Sequence, residues 1–372
     1  MNEHRPRFQE IEGQQWFIYR QGMEGGDIPQ GITHVLVEEG TTSIEGRTFC
    51  NGHPFEKGKY DSLQHVRIAK SVQGIGEKAF CDCKNLVTVE IPDDSKLVEI
   101  GQSAFLCCRS LTGDKMNLPA SLRNIGDFAF TGTSLVKLFV QGDSNHLSQM
   151  ASIGCSYMAC TSLKEVDLSS CPNLRTFVLG TFARCASLKT VLLPPYLARI
   201  GNRVFRGCTS LEVIVFPKTL QFIGSGAFEG CTQLQRLKFP ASLQIISRGA
   251  FGGCTALGQV EFESFESIGG AILTTFEGCS RLHTTTWPQH AITCALWPLV
   301  IARLFIGGSG RRSGSEKNLI SCLFSSFLAN HENLLSNQRN VPPLRRSSRR
   351  RKPVVCLGSV SIASKKSNTA DT

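Results

Sequence analysis

The chain has 372 residues, of which 41% are hydrophobic and 19% charged, so it has the apolar content to fold and is not disordered throughout. No apolar run reaches the ~18 residues of a membrane-spanning helix. The formal charge of +10 is concentrated: residues 303–372 hold 13 Lys+Arg and 3 Asp+Glu, while residues 1–302 hold 27 of each sign. A neutral body therefore carries a basic tail.

The first residues, Met1 to Arg7, lack the apolar stretch of a secretory signal, and the chain contains no Asn-x-Ser/Thr sequon. The expected location is cytoplasmic, with the nucleus as an extension of it. The 16 cysteines are then expected to be thiols. Residues 1–31 do not fit the pattern that follows. Glu12-Gly-Gln-Gln-Trp16-Phe-Ile-Tyr19 reads as a short strand or cap closing one end of a stack, with Trp16 as a capping side chain.

From residue 32 the sequence repeats itself. Ile200-Gly-Asn-Arg-Val-Phe205 leads to Cys208-Thr-Ser-Leu211. Ile223-Gly-Ser-Gly-Ala-Phe228 leads to Cys231-Thr-Gln-Leu234, and Ile75-Gly-Glu-Lys-Ala-Phe80 to Cys83-Lys-Asn-Leu86. After the leucine comes an alternating run ending in proline, such as Leu211-Glu-Val-Ile-Val-Phe216-Pro217. Ten units start at Ile44, Ile75, Ile100, Ile125, Ile153, Phe177, Ile200, Ile223, Ile246 and Ile268. Residues 53–62 form an insertion after the first. In the Ile153 unit, Met158 falls where Phe is expected, and the Ile268 unit carries an insertion before Phe276.

This period predicts stacked coils, because one such unit cannot bury its own apolar face. Leu211, Ile214 and Phe216 point inward on a short strand that proline ends. A second extended piece, Leu220 to Ile223, forms the return side, and Gly224 is expected to permit a sharp turn there. Phe49, Phe80, Phe105, Phe130, Phe182, Phe205, Phe228, Phe251 and Phe276 should form a column, each ring contributing roughly 1.5–3 kcal/mol. Ten coils at ~4.8 Å per rung would measure on the order of 50 Å.

The unit resembles the BspA-type leucine-rich repeat, with its x-I-G-x-x-A-F-x-x-C-x-x-L signature, over residues 32–288. The resemblance implies a mainly β fold, a right-handed leucine-rich-repeat solenoid of about ten coils. It also implies protein–protein recognition, cell-surface adhesion in many members, and no catalytic residues to transfer.

Cys185, Cys208, Cys231 and Cys254 recur every 23 residues. Stacked at ~4.8 Å they lie within disulfide reach, yet the expected compartment favours a ladder of small buried thiols. Cys81-Asp-Cys83 and Cys107-Cys108 lack the paired spacing of a zinc site, and no cofactor is expected. The eight histidines (at 4, 34, 53, 65, 146, 283, 290 and 331) read as surface residues, and no catalytic constellation emerges. Gly307–Gly314 lacks the order of a phosphate-binding loop and reads as a linker.

Function must then lie on the exposed ladder, at the second and fourth positions after each leucine. These are Glu165/Asp167, Thr190/Leu192, Val213/Val215, Arg236/Lys238 and Gln259/Glu261. Leu192, Val213 and Val215 would form an apolar cluster rimmed by Arg236, Lys238 and Glu261. That cluster is a partner site, a patch covered by another part of the chain such as the C-terminal segment, or ordinary β-propensity at exposed positions.

Residues 289–336 are expected to form a C-terminal helical cap. A helix starts at Pro298. A second is signalled by a capping box at Ser313 and Glu316 and by a stripe of Leu319, Ile320, Leu323, Phe324, Phe327 and Leu328. The stripe packs on the solenoid or on a partner. Residues 337–372 read as a disordered tail. Its run of Arg345, Arg346, Arg349, Arg350, Arg351 and Lys352 is read as plain solvated charge, as a nuclear-import signal, or as a contact for nucleic acid or another anionic surface. The main reading is a non-enzymatic scaffold for another protein. The rivals are a surface adhesion module and a basic-tailed nucleic-acid binder.

Overall fold

The structure, a computed structural model, describes residues 6–23, 27–51, 58–113, 116–142, 147–264, 272–282 and 284–286. The chain divides into Met1–His331 and Glu332–Thr372, and every described residue lies in the first unit. The expected start at Ile268, both C-terminal helices and the basic tail lie outside the described residues.

The fold is mainly β, built from two kinds of parallel ladder. The long-strand side begins with an antiparallel pair, Phe8–Ile11 and Gln14–Tyr19, whose second member runs parallel to His34–Val37. His65–Arg67 and Thr88–Glu90 extend that sheet. A second sheet comprises Lys137–Phe139, Glu165–Asp167, Thr190–Leu192 and Val213–Ile214, and a third Arg236–Phe239, Gln259–Phe262 and Thr284–Thr286. The other side carries two-residue strands in two sheets. Ser43–Ile44, Gly74–Ile75, Glu99–Ile100, Asn124–Ile125 and Ser152–Ile153 form one; Thr176–Phe177, Arg199–Ile200, Phe222–Ile223 and Ile245–Ile246 form the other.

Alternation explains the strands. Val66, Val89, Leu138, Val166, Val191, Ile214 and Leu237 sit at the inward position of successive long strands and are at most 4% exposed. Leu211, Ile214 and Phe216 are all buried as their spacing requires.

The aromatic column is continuous. Rings from Phe49 to Phe276 stack at centroid distances of 4.9–5.6 Å with planes within 20° of each other. One expectation is corrected. The Ile153 coil fills its place with Tyr157, not Met158, because that coil reaches the column one residue early. Tyr157 is fully buried between Phe130 at 5.1 Å and Phe182 at 5.6 Å.

The role assigned to Gly224 is also corrected. Its φ is not positive; the left-handed residue of this turn is Gly226, at +60°. Glycine stands at position 224 for lack of space. A Cβ there would lie 2.6 Å from backbone atoms of Gly201 and Asn202 in the coil below. Equivalent Cβ atoms at Gly76, Gly101, Gly126 and Gly201 would meet backbone at 2.5–2.8 Å. The corner is where consecutive coils come closest. Val178 occupies this position in the Phe177 coil, and the short ladder is interrupted there, between Ser152–Ile153 and Thr176–Phe177. Val178 and its neighbour Leu179 are exposed.

Candidate functional site: the outer face of the long-strand ladder

The repeating cysteines belong to the scaffold. Each thiol donates to the carbonyl of the preceding coil's aromatic residue: Cys83 to Phe49, Cys108 to Phe80, Cys160 to Phe130, Cys185 to Tyr157, Cys208 to Phe182, Cys231 to Phe205, Cys254 to Phe228 and Cys279 to Phe251, at 3.0–3.3 Å. All eight are free and buried. Burial pushes the Cys231 thiol up to about 12 and moves Cys83 and Cys208 well above the ordinary thiol value. These three thiols stay protonated at neutral pH. In the Ile125 coil, Thr133 takes the cysteine's place and donates to its own Phe130 carbonyl at 2.8 Å.

The outward columns fall in the expected frame. Glu165 pairs with Thr190 and Thr190 with Val213; Asp167 pairs with Leu192. Arg236 pairs with Gln259 and Lys238 with Glu261. Leu192, Val213 and Val215 are 48%, 62% and 75% exposed. Hydrogen-bonded pairing stops after Ile214, so Val215 lies just past the end of its strand, and the ladder resumes at Arg236. The apolar cluster thus sits at a discontinuity in the sheet. Sequence reading missed Phe139, the fourth residue after Leu135 and 47% exposed, which shares the column of Asp167 and Leu192. The same frame would have found it.

The rim is charged and locally paired. Lys137 meets Glu165 at 2.9 Å, and Lys238 meets both Glu261 and Glu263 at 3.3 Å. Hydrogen bonds to those two carboxylates raise the Lys238 ammonium above its ordinary value. Such exposed pairs are screened by solvent and contribute little to stability. The Asp167 carboxylate accepts from its own loop, from Ser169 N at 3.0 Å and Ser169 Oγ at 2.6 Å. Arg236 is exposed.

Two histidines read as scattered prove to be stacked. His34 and His65 are register partners with ring centroids 4.6 Å apart. Trp16, buried at 5% exposure, meets His34 edge-on at 4.7 Å and takes the Arg67 guanidinium over its ring at 4.5 Å. Arg67 bonds Glu90 at 2.7 Å. Burial and the neighbouring His65 and Arg67 lower the His34 value. Both histidines stand two residues after an inward Ile32 or Leu63, a spacing visible in the sequence. Among the described residues, no three His, Cys, Asp or Glu side chains form a group able to hold a metal ion.

Comparison with known proteins agrees with this architecture. A search of curated proteins returns no match. Among solved structures, a leucine-rich repeat protein from Bacteroides ovatus is 25% identical, with a TM-score of 0.56 over 76% of this chain and 70% of its own. A leucine-rich repeat protein from T. pallidum is 20% identical, with a TM-score of 0.35 over 84% of this chain and 97% of its own. A leucine-rich cell surface protein from Faecalibacterium prausnitzii is 19% identical, with a TM-score of 0.32 over 87% and 97%. The profile of the BspA type leucine rich repeat region (6 copies) matches residues 54–178, 94–212 and 176–294. With that match laid over the aromatic column and its cysteine bonds, the chain belongs to the BspA-type leucine-rich-repeat family.

Proposed function

We propose that the chain is a non-enzymatic scaffold that binds another protein on the outer face of its long-strand ladder. The observation that carries the reading is the exposed cluster of Leu192, Val213 and Val215 where a ladder ends. Isolated exposed apolar residues are common, but several together beside a charged rim mark a docking surface. Arg236, Lys238 and Glu261 supply the rim and would set orientation more than affinity. The reading takes the coils as right-handed, the hand that parallel strand connections adopt almost without exception. It also takes them as about ten in number, closed by the C-terminal helical segment. It places the protein in the cytoplasm, with the Arg345–Lys352 run available to an import receptor or an anionic surface.

Affinity capture from the native source with wild type and Val215→Asp tests it. Val215 is 75% exposed, so the variant should keep its thermal midpoint and lose the partners that wild type retains. An unchanged partner set would sink the proposal. A collapse of the midpoint would show an inward side chain and sink it equally.

A further inference from the structure

The neutral body conceals a strong segregation of charge. Residues 171–258 hold ten Lys+Arg (Lys189, Lys218, Lys238 and seven arginines) against two acidic residues, Glu212 and Glu229, a net of +8. Residues 1–170 hold 16 basic and 21 acidic residues, a net of −5, and residues 259–302 hold one and four, a net of −3. All ten cations lie in described coils, and nine of them are exposed.

The cations fall on two sides of the coil. Lys189, Lys218, Arg236 and Lys238 lie within or next to the long strands and the prolines that end them. Arg175, Arg184, Arg199, Arg203, Arg206 and Arg248 lie within or next to the short strands and in the turns that follow. Arg206 is held by Glu229 at 3.1 Å. Arg175 lies over the Tyr196 ring at 4.9 Å and Arg199 over the Phe222 ring at 4.2 Å. Stacking fixes these guanidiniums without neutralising them. Arg203 and Arg248 line one open groove of about 560 Å³ with Glu229, Glu277 and a floor of glycines. Gly226, Gly230, Gly249 and Gly253, which line that groove, fill both left-handed turn positions in two consecutive coils.

The repeat does not require this charge. The position of Arg199 is Glu99 in an earlier coil, and the position of Arg248 is Glu77 or Asp127. At these two places a basic residue occurs only in the C-terminal coils, whereas the position of Arg203 is also basic in the first coils, as Arg47 and Lys78.

From this geometry we infer a second interaction face, on the short strands and turns of residues 175–253, that binds an acidic peptide segment of a protein partner. The planar forks of Arg199, Arg203 and Arg248 match carboxylates bidentately. Two observations favour a peptide over a nucleic acid. One face of each of the Tyr196 and Phe222 rings is taken by a guanidinium, which leaves less aromatic surface for base stacking. Tyr196 and Ile245, 48% and 44% exposed, offer apolar contacts that a peptide can use. The face is separate from the outer cluster around Val215, and neither depends on the other.

The test is fluorescence polarisation of a labelled peptide, (Glu-Asp-Gly)4, titrated with the full-length chain at low salt. The comparison probes are an equally charged oligothymidylate and a Lys-rich peptide. Binding to the acidic peptide should weaken about tenfold or more in the triple variant Arg199→Glu, Arg203→Glu, Arg248→Glu, and steeply with added salt. It should survive in Val215→Asp, and in a full-length variant with Arg345, Arg346, Arg349, Arg350, Arg351 and Lys352 all changed to Gln. If the charge-reversed chain does not fold, the Arg→Gln triple decides, with a loss of several-fold expected. Unchanged binding in the folded triple variant overturns the inference, as does loss on neutralising the tail alone. Tighter binding of the oligothymidylate than of the peptide assigns the face to nucleic acid and overturns it too.

Discussion

The strand ladders and the turn that connects them hold the stack together in different ways. The long ladder is interrupted near Leu111 and again between Ile214 and Arg236, and the short ladder is interrupted at Val178. The turn is not interrupted. Backbone N–H groups of Phe49, Phe80, Phe105, Phe130, Tyr157, Phe182, Phe205, Phe228 and Phe251 each donate to a carbonyl of the next coil, at 2.7–3.0 Å. Wherever a cysteine follows, the same residue's carbonyl is bonded by the next coil's thiol. Each of these aromatic residues except Phe105, whose next coil carries Thr133 in place of the cysteine, is therefore fastened twice through its backbone and once through its ring. Register is carried by this turn and its column, which leaves the strands free to be short, broken and varied on their outer face. That freedom is what a recognition surface needs, and it explains why the apolar cluster and a ladder gap can coincide without loss of order.

The most severe way to break this division is to remove a ring from the middle of the column. Phe228 is fully buried, stacked on Phe205 at 5.1 Å and Phe251 at 4.9 Å, and met edge-on by Phe216 at 5.9 Å. Phe228→Ala should cost about 3–5 kcal/mol, read as a large fall in the urea midpoint. An outer-ladder change such as Lys238→Ala, which breaks exposed and solvent-screened ion pairs, should leave the urea midpoint almost unchanged. Equal losses in the two variants would mean that the strands, not the turns, carry the register.

The corner glycines sharpen the same comparison at a smaller scale. Gly224 and Gly74 are both glycines of the short ladder without positive φ, yet their surroundings differ. A Cβ at 224 would lie 2.6 Å from neighbouring backbone, whereas one at 74 would meet nothing within 4 Å. Gly224→Ala should therefore destabilise by about 1–3 kcal/mol through forced separation of coils. Gly74→Ala should be neutral or slightly stabilising, because it restricts the unfolded chain. Thermal melts of the pair decide it. A harmless Gly224→Ala would show that the corner has room, and that Val178 is not what opens the short ladder.

Most of the fold was legible because the repeat reports its own geometry. The spacing of Phe205, Phe228 and Phe251 implied a column, and the frame of Leu192 and Lys238 implied which side chains face outward. What the sequence hid were facts about contacts between coils. Gly224 and Gly226 look equally like turn glycines in the string of letters, but one is required by a neighbour's backbone and the other by its own φ. The thiol-to-carbonyl bonds likewise join residues 26 to 34 positions apart, such as Cys231 with Phe205 and Cys83 with Phe49. A recurring cysteine shows that something small is needed without saying what it touches. His34 and His65 were legible in principle, since both follow an inward aliphatic by two residues. They were passed over because the irregular first coils disguise the frame.

Tyr157 is where sequence and structure part most instructively. Its coil reaches the column a residue early, so a phenol sits where every neighbouring coil places a phenyl ring. The ring is accommodated, but the hydroxyl is buried without a hydrogen-bond partner among the described residues, and burial holds its titration well above the ordinary value. A buried polar group left unpaired costs about 1–3 kcal/mol. Tyr157→Phe removes the hydroxyl and keeps the stacking on Phe130 and Phe182. It should therefore stabilise the chain, by about 1 kcal/mol if the surrounding packing closes only in part. That corresponds to a rise of about 2–4 °C in the thermal midpoint for a domain of this size. A fall in the midpoint would mean that the hydroxyl anchors the shortened coil through a bound water. The column would then be continuous there because of a polar contact as well as ring packing.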